Sequence, residues 1–487
     1  MKEGRHLTSE LQLKYADRLR GRWNTMAELR VRKTDDNVID RRNDLHIINM
    51  YTKLYNDTYE LTGGDFYASF TKYTLNVPLE GFQAVANYDR AKLKGIFARR
   101  WKGYHQSKFA RYVNGFYGQL LPLPDTYYIS NFWIGGGYVY TWDDSSSIHN
   151  AQGLRDLDNK VLTTNLNAKL FKNLNLKAEF AHSFVEENLN DVPDYVSDKN
   201  YGRAFEVNTD ARFDKLQVYY DYRYVQPDFY TSVGAAMPDR VEHAARFNYP
   251  MHPQVTFKGG IRQYHNHLSG SSQIKKTITR SPEIAMTVVP IKKLRSLRLD
   301  VGFRQLRNIS DDDPCTRDDL QKTFDLKVSN KFWDLTGSFS FQERLIANKI
   351  SASSNSRKDT FDTDWRMLLK ILKMEFTPYF GYQLSFDKAL SSLNKEIDTR
   401  ENIDFGINSR LTKNLRCDIS FKIADIDLAA LNSDSTRKTF NTKLEYKIGG
   451  SANRILRSSL YIMHYDAEDS DNEYEEVKAD TSLTIKF

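Results

Sequence analysis

Apolar and polar side chains alternate with a period of two along much of this chain. From Phe440 to Ile448, every second residue is apolar or threonine, and the residues between them are Asn, Lys or Glu. The segments 297–304, 374–386 and 415–423 alternate in the same way. Because successive side chains of a β-strand point to opposite faces, the pattern predicts strands with one apolar and one polar face.

The connections between these segments alternate between short and long. The short ones are 172–173, 214–215, 291–294, 331–334, 372–373 and 412–414. The long ones are polar and comprise 143–157, 185–201, 226–239, 266–277, 308–319, 346–358, 387–398 and 466–476. Transmembrane β-barrels of bacterial outer membranes have short periplasmic turns and longer outside loops. The pattern therefore predicts an all-β protein that forms one large antiparallel transmembrane β-barrel.

The number of strands follows from a count of the alternating segments, which gives about 25. Because bacterial barrels normally have an even number of strands, 26 strands are expected, with 24 the next choice, and 26 strands fit the length of 487 residues. This count predicts a single domain, 1–487, without a separate plug or periplasmic domain. Pro378 lies inside one predicted strand and has no backbone N–H to donate, so a bulge or local gap is expected there.

Composition agrees with a barrel and excludes a helical membrane protein. The mean hydropathy is -0.62, and no stretch approaches the ~20 consecutive apolar residues that a membrane helix needs. The chain nevertheless contains 29 Tyr and 28 Phe. Strands with alternating faces explain both facts, because only half of each strand needs to face lipid.

The last nine residues, 479–487, resemble the terminal-strand signal of outer-membrane proteins. In that signal a final aromatic residue is preceded by apolar residues at every second position, as Phe487, Ile485 and Leu483 are here. The resemblance implies recognition by the barrel-assembly machinery and a location in the cell outer membrane of a bacterium.

A second resemblance involves the segment Gly64-Asp65-Phe66-Tyr67. It is similar to a Gly-Asp-Phe/Tyr-Tyr motif of large, poorly characterised outer-membrane barrels. By size alone, the chain also resembles the barrel of porin–cytochrome conduits, which sheathes multihaem cytochromes. The likeness in size to porin–cytochrome conduits implies that a partner protein could occupy the lumen.

The sequence contains little that predicts chemistry. Cys315 and Cys417 form no C-x-x-C, and no local Ser/His signature is present, so we expect no enzyme and no cofactor. His265 and His267 could share one face and bind a metal, but a polar loop edge is the favoured interpretation, and no metal is expected. Basic residues alternate with apolar ones instead of clustering, so nucleic acid is not an expected partner.

Acidic runs occur in two predicted loops, at 311–313 and 466–473. They could bind Ca²⁺, or bind lipopolysaccharide through divalent ions, although solvated loop charge is favoured. Membrane lipid and lipopolysaccharide are in any case the expected surroundings of such a barrel.

The polar faces of six clear segments predict which charges line the lumen. The basic set is Arg298, Arg304, Lys327, Arg366, Lys370, Arg416, Lys422, Lys443 and Lys447. The acidic set is Asp300, Asp325, Asp362, Asp364, Glu375, Asp418 and Glu445. The small basic excess and the net charge of +7 predict a hydrated lumen with a mild preference for anions.

Two functions remain open from the sequence. The first is a porin-type channel for solutes, narrowed by inward folding of a stretch such as 61–81 or 185–201. The second is a structural sleeve around a partner, such as a multihaem cytochrome or a secreted polypeptide. In both cases something must occupy or restrict the lumen, because barrels of 16–18 strands already leave an aqueous channel.

Overall fold

The computed structural model describes residues 8–19, 21–34, 45–102, 108–148, 154–189, 198–268, 275–291, 296–312, 314–351, 355–390, 397–429, 433–450, 454–467 and 473–486. This part of the chain is built from 26 β-strands, with 3₁₀ turns at Ser145–Ser147 and Ile448–Gly450 and without an α-helix. No helix in the described ranges is long and apolar enough to cross a membrane.

The strands follow one another along the chain with few interruptions. The first thirteen are β1 (Thr8–Arg18), β2 (Asn24–Thr34), β3 (His46–Tyr55), β4 (Tyr59–Ser69), β5 (Asn76–Asn87), β6 (Ala91–Trp101), β7 (Ala110–Leu120), β8 (Ile129–Asp144), β9 (Arg155–Leu170), β10 (Leu174–Leu189), β11 (Asp198–Phe213), β12 (Leu216–Val225) and β13 (Arg240–His252). The others are β14 (Val255–His265), β15 (Thr277–Val288), β16 (Arg298–Ser310), β17 (Asp318–Phe332), β18 (Leu335–Asn348), β19 (Ser356–Met367), β20 (Leu369–Ile371), β21 (Met374–Ala389), β22 (Ile397–Arg410), β23 (Leu415–Leu428), β24 (Ser433–Lys447), β25 (Arg454–Ala467) and β26 (Tyr474–Lys486).

All strands belong to one sheet, and the sheet closes on itself. Each strand pairs with the next one in an antiparallel ladder, apart from β19, which pairs with β21 instead of β20, and β1 pairs with both β2 and β26. The closing ladder is parallel and short, with the pairs Gln12↔Thr484, Leu13↔Ile485 and Lys14↔Lys486. The predicted fold class, a single large antiparallel barrel of 26 strands, is confirmed.

Two of the 26 strands form one pass across the barrel. The β19–β21 ladder ends at Arg366↔Tyr379, and the β20–β21 ladder resumes in the same register at Leu369↔Phe376. The missing pairs lie opposite Pro378 and its neighbour Thr377. The gap expected at Pro378 is therefore confirmed, because proline offers no N–H to the ladder. Counted as passes, the barrel has 25, an odd number, which explains why its closing ladder is parallel.

Short and long connections alternate along much of the chain, as predicted, and give the barrel two distinct ends, although the turn-end connections between β7 and β8 and between β15 and β16 are long. Two-residue turns such as Leu372–Lys373, where both residues have positive φ, lie at what we call the turn end. Longer connections, such as 311–317 between β16 and β17, lie at the opposite loop end. Leu483 and Ile485 lie in β26, as the terminal-strand resemblance implies, while Phe487 lies outside the described residues.

The two faces of the sheet differ in burial. On the outer face, large apolar side chains are exposed and adjoin one another across strands, as Phe82 and Phe97 do. On the inner face of β4–β12, small and apolar side chains such as Val139, Val161, Ala181 and Ala204 are completely or almost completely buried. The protein therefore has its core inside the barrel, along one part of the wall.

Candidate functional site

Two connections fold from the loop end onto the inner face. Inner segment 1 is residues 70–75, between β4 and β5, and inner segment 2 is residues 226–239, between β12 and β13. They are joined by backbone hydrogen bonds, from the Ala235 N–H to the Lys72 carbonyl (2.7 Å) and from the Asn76 N–H to the Val233 carbonyl (2.8 Å). The two segments therefore form one unit inside the barrel.

Apolar side chains attach this unit to the wall in two clusters. In the first, Phe70, Leu75 and Val233 pack against β4–β8, and the Phe70 ring stacks on Tyr117 with 5.7 Å between centroids. In the second, Tyr73 and Phe229 meet edge to face at 5.6 Å and pack against β9–β12. Burial of one such side chain contributes roughly 1.5–3 kcal/mol, so together they contribute on the order of 10 kcal/mol. Thermal motion alone will rarely displace the unit.

Buried polar residues of the wall bind the backbone of inner segment 2. The Asn159 amide accepts from the Ser232 N–H (2.9 Å) and donates to the Tyr230 carbonyl (3.2 Å). The Ser183 hydroxyl accepts from the Tyr230 N–H (3.1 Å). Both wall side chains are fully buried, so these bonds satisfy polar groups that would otherwise be costly.

Gly202 on β11 allows inner segment 2 to approach the wall this closely. A Cβ at this position would lie 2.2 Å from both the Cα and the backbone nitrogen of Phe229. No side chain larger than hydrogen fits there without displacing the segment.

Charged groups also bind inner segment 1 to the wall of the barrel. Glu206, whose side chain is only 8% exposed, forms ion pairs with Lys72 of inner segment 1 and with Arg223 (3.2 Å). It also accepts a hydrogen bond from the Tyr73 hydroxyl (3.2 Å). Inner segment 1 is thus bound to β11 by a buried carboxylate as well as by apolar packing.

The same row of charges continues around the wall through Glu242. This carboxylate, 6% exposed, pairs with Arg262 (2.7 Å), Arg240 (2.9 Å) and, more distantly, Arg223 (3.9 Å). Beyond β14 the inner face changes character, because no described segment covers it and its charges are exposed.

The strand register places all the predicted lumen residues on this uncovered part of the inner face. Several form ion pairs with inner-face partners, at 2.8–3.1 Å: Arg298–Asp300, Arg366–Asp364, Arg416–Asp418, Lys422–Asp404 and Arg457–Glu445. The basic members of these pairs are 50–60% exposed, in contrast to the buried Glu206 and Glu242. The barrel therefore has a packed side and an open, charged side.

The sequence identified only part of the packed side. The stretch 61–81 does contain inner segment 1, whereas 185–201 lies in β10 and β11 apart from residues 190–197, which are outside the described ranges. The sequence pattern predicts inner segment 2 only as a long loop and does not single out Glu206, Glu242 or Lys72. An available signal was the low polarity of 233–237, which is unusual for an exposed loop.

The histidine pair does not form a site in the described part of the chain. His265 Nδ1 lies 3.2 Å from the Asn266 carbonyl, and the His267 N–H donates to Asp239 (2.8 Å). No three ligating side chains converge there or elsewhere in the described ranges.

Comparison with known proteins finds similar solved structures but no similar sequence. The sequence matches no known protein family and no curated protein. Similar solved structures are those of outer-membrane β-barrels. The siderophore receptor PirA from Pseudomonas aeruginosa has a TM-score of 0.42 and 10% identity, covering 87% of this chain and 79% of the receptor.

Two other similar structures have comparable scores. The P pilus usher PapC translocation pore has a TM-score of 0.40 and 10% identity, over 85% of this chain and 90% of the pore. Pseudomonas aeruginosa OpdK, solved with vanillate, has a TM-score of 0.36 and 9% identity, over 72% of this chain and 96% of OpdK. At TM-scores this low, the fold assignment depends on this chain's own strand pairing, and the functions of these proteins are not assigned to this chain.

Proposed function

We propose that the protein is a channel of the bacterial outer membrane, in which the unit of inner segments 1 and 2 narrows the lumen and small solutes pass along the open, charged side. The observation that carries this proposal is the asymmetry of the inner face. A channel needs both a firm constriction and a hydrated path. The packed side would supply the constriction, and the open side would supply the hydrated path.

The outer face supports a membrane location. Its apolar side chains occur on strands all around the sheet, from Phe116 on β7 to Phe361 on β19 and Phe405 on β22. Near the turn end, Tyr127, Tyr128 and Phe171 form an exposed aromatic cluster. Apolar bands flanked by aromatic girdles are typical of transmembrane barrels.

One part of the open side, the inner face of β22–β25, supports a preference for anions. On the inner face of β22–β25, eight cationic residues oppose four acidic ones, assigned from the ladder registers. The cationic residues are Arg400, Arg410, Arg416, Lys422, Arg437, Lys443, Lys447 and Arg457, and the acidic ones are Asp398, Asp404, Asp418 and Glu445. A surplus of positive charge along a path raises the local concentration of anions.

The constriction can be tested by removing it. Replacing residues 227–238 with a short Gly-Ser linker should leave the barrel closed and raise the single-channel conductance in planar bilayers severalfold. A matched control inserts the same linker into the exposed turn 412–414 at the turn end, where no change is expected.

The measurement also separates the parts of the proposal. Equal conductance of the linker variant and the natural protein would show that the unit does not restrict the path. A reversal potential that favours cations would contradict the anion preference while leaving the channel intact. Absence of ion current from correctly folded protein would contradict the channel itself.

A second candidate function is a sleeve around a partner protein, and the observation that favours it is width. A ring of 25 passes spaced about 4.8 Å apart and tilted by about 40° has a diameter of roughly 50 Å. Inner segments 1 and 2 line only one side of such a ring. Mild purification from native membranes tests the sleeve: a stoichiometric partner that remains bound supports it, and isolation of the chain alone contradicts it.

A further inference from the structure

The wall of the barrel is split between β3 and β4. The ladder that joins them covers only the pairs from Tyr51↔Gly64 to Tyr55↔Glu60. Both strands continue beyond it toward the loop end, where β3 stays paired with β2 as far as His46 and β4 stays paired with β5 as far as Ser69. The two strands therefore diverge at Gly64, and we call this divergence the fork.

The Gly-Asp-Phe-Tyr motif is located at the fork. Gly64 has a φ of 102°, and a Cβ there would lie 2.1 Å from the Met50 carbonyl oxygen, so only glycine suits the position. The next residue, Asp65, accepts a hydrogen bond from the Met50 N–H at 2.8 Å. The aspartate thus satisfies the first backbone donor that the interrupted ladder leaves without a strand partner.

The fork coincides with a change on the outer face. Phe82 and Phe97 form an exposed apolar pair, and two residues closer to the loop end Glu80 pairs with Arg99 at 2.9 Å. Asp65 lies beside Glu80 in the same cross-strand row. In the proposed outer-membrane orientation, this row marks the boundary between hydrocarbon and headgroups. Unpaired backbone is tolerated at that level because water can reach it.

A cavity of about 960 Å³ passes through the fork. It is lined by inner-face residues, such as Lys53 and Glu60, and by outer-face residues, such as Tyr67 and Glu80. Ile48, Phe66 and Leu79 give it apolar walls. Its size is in the range of small-molecule sites, and its lining combines apolar surface with a few charges.

One lining charge indicates the ligand. Glu60 pairs with Lys53 (2.8 Å), Glu28 with Lys14 (3.3 Å) and Glu80 with Arg99. The Arg100 guanidinium stacks over Trp101 at 4.4 Å and has no carboxylate partner among the residues that the structure describes. A partly enclosed cation of this kind is suited to an anionic headgroup.

We propose that the fork is a lateral portal between the lumen and the membrane interface, which binds a single-chain anionic amphiphile with its headgroup at Arg100 and its chain along Ile48, Phe66 and Leu79. The portal rests on the proposed outer-membrane location. It adds to the channel a second route, through the wall.

A long-chain fatty acid with a photoreactive group in mid-chain tests the portal on the purified full-length protein. Irradiation should attach the probe to peptides that contain Met50 or Phe66, and excess unlabelled fatty acid should suppress the attachment. Attachment spread over outer-face aromatics such as Phe116 and Phe341, without competition, would overturn the portal.

A charge variant tests the headgroup site. Arg100→Gln should weaken competition by the fatty acid about tenfold, the loss expected for one charge-assisted hydrogen bond, and leave competition by the fatty alcohol of equal length unchanged. The control Arg280→Gln makes the same charge change on the outer face of β15 and should change neither. Equal loss for acid and alcohol would overturn the assignment of Arg100.

The outcome for the portal is separable from that for the channel. Ion current is recorded on the same preparation. Specific labelling without current would retain the portal and contradict the channel, and current without specific labelling would do the reverse.

Discussion

Glu206 shows how a single side chain can connect the wall with the segments inside it. Its carboxylate bonds to Lys72, Tyr73 and Arg223, which come from inner segment 1 and from β12. Breaking a buried ion pair by removing one partner is strongly destabilising, because the other charge is left uncompensated. The residue therefore fixes the position of inner segment 1 more firmly than its apolar contacts alone would.

Gly202 gives the sharpest prediction at the scale of residues. Gly202→Ala places a methyl group 2.2 Å from the Phe229 backbone, so inner segment 2 must move. We expect a loss of roughly 1–3 kcal/mol in unfolding free energy, as for other overpacked sites, together with a higher or noisier conductance. Thermal unfolding and bilayer recordings measure the two effects.

The control for this change is Gly302→Ala on β16. The added Cβ there would meet nothing closer than the Asp325 Cβ at 3.7 Å, which is ordinary contact. If both variants behave like the natural protein, inner segment 2 does not rest against β11 as described.

At the scale of residues, the sequence predicts the face on which a side chain lies better than it predicts the residue with which that side chain pairs. Alternation assigns Arg416, Lys422 and Lys443 to the polar face, because each strand reports its own two faces. It cannot identify Glu206 as the partner of Lys72, because the two are brought together by the closure of the whole barrel and by an inward turn of a loop. Long-range pairs of this kind leave no local pattern.

At the loop end, ion pairs join the segment before β15 to the loop between β16 and β17. Lys275 at the start of β15 contacts Asp312 of the loop 311–317 at 2.8 Å, and Lys276 contacts Asp311 at 3.1 Å. Hydrogen bonds from Lys275, Ser310 and Thr316 hold the pKa of Asp312 far below its usual range. Two neighbouring loops are thereby joined by two carboxylates, Asp311 and Asp312.

The lowered pKa predicts how this fastening depends on pH. A carboxylate with a lowered folded-state pKa stabilises the fold above the usual Asp value of about 3.9 and loses that effect only as the pH falls below it. Hydrogen-exchange protection of the Thr316 amide, corrected for the intrinsic rate, should stay constant from pH 7 to about pH 3, where an Asp of ordinary pKa would already be mostly protonated. Asp312→Asn should reduce the protection across that range.

Asp311→Asn is the matched control, because Asp311 has its own contact with Lys276 and does not bind Thr316. It should leave the protection of Thr316 nearly unchanged. A pronounced loss of protection in the natural protein between about pH 5 and about pH 3 would contradict the lowered pKa.

Strands were more predictable than the behaviour of their connections. The gap at Pro378 followed from one missing donor, a strictly local property. Whether a connection extends outward or folds inward depends on the surface that receives it. For inner segment 2 that surface consists of Asn159, Ser183 and Gly202 on three different strands.

The whole barrel has an odd number of passes, and this determines where β1 begins and where β26 ends. β26 runs toward the turn end, and β1 runs parallel to it, so Thr8 lies at the loop end and Lys486 at the turn end. Known bacterial single-chain barrels have even numbers of strands, which was the basis of the expected count. The predicted connections 346–358 and 372–373 leave a single segment where the structure has β19 and β20, so the alternation agrees with 25 passes, whereas the rule of even numbers does not.

Antibody access to intact cells tests this arrangement. In the proposed outer-membrane orientation, a peptide tag joined ahead of Thr8 should be accessible from outside. A tag inserted in the turn 412–414 should become accessible only after the membrane is opened. A tag inserted after Ile350, in a connection at the loop end, is the positive control. An inaccessible tag ahead of Thr8, with the control accessible, would contradict the parallel closing ladder.

The parallel ladder also limits how this chain could be rearranged. In barrels whose two ends lie on the same side, a linker of a few residues can join them and new ends can be opened elsewhere. Here any such linker must reach from Lys486, which lies beside Lys14, to Thr8, a separation of about six strand residues at roughly 3.3 Å each, either through the lumen or along the outside. A circularly permuted version with a shorter linker would have to give up the three residue pairs that close the barrel.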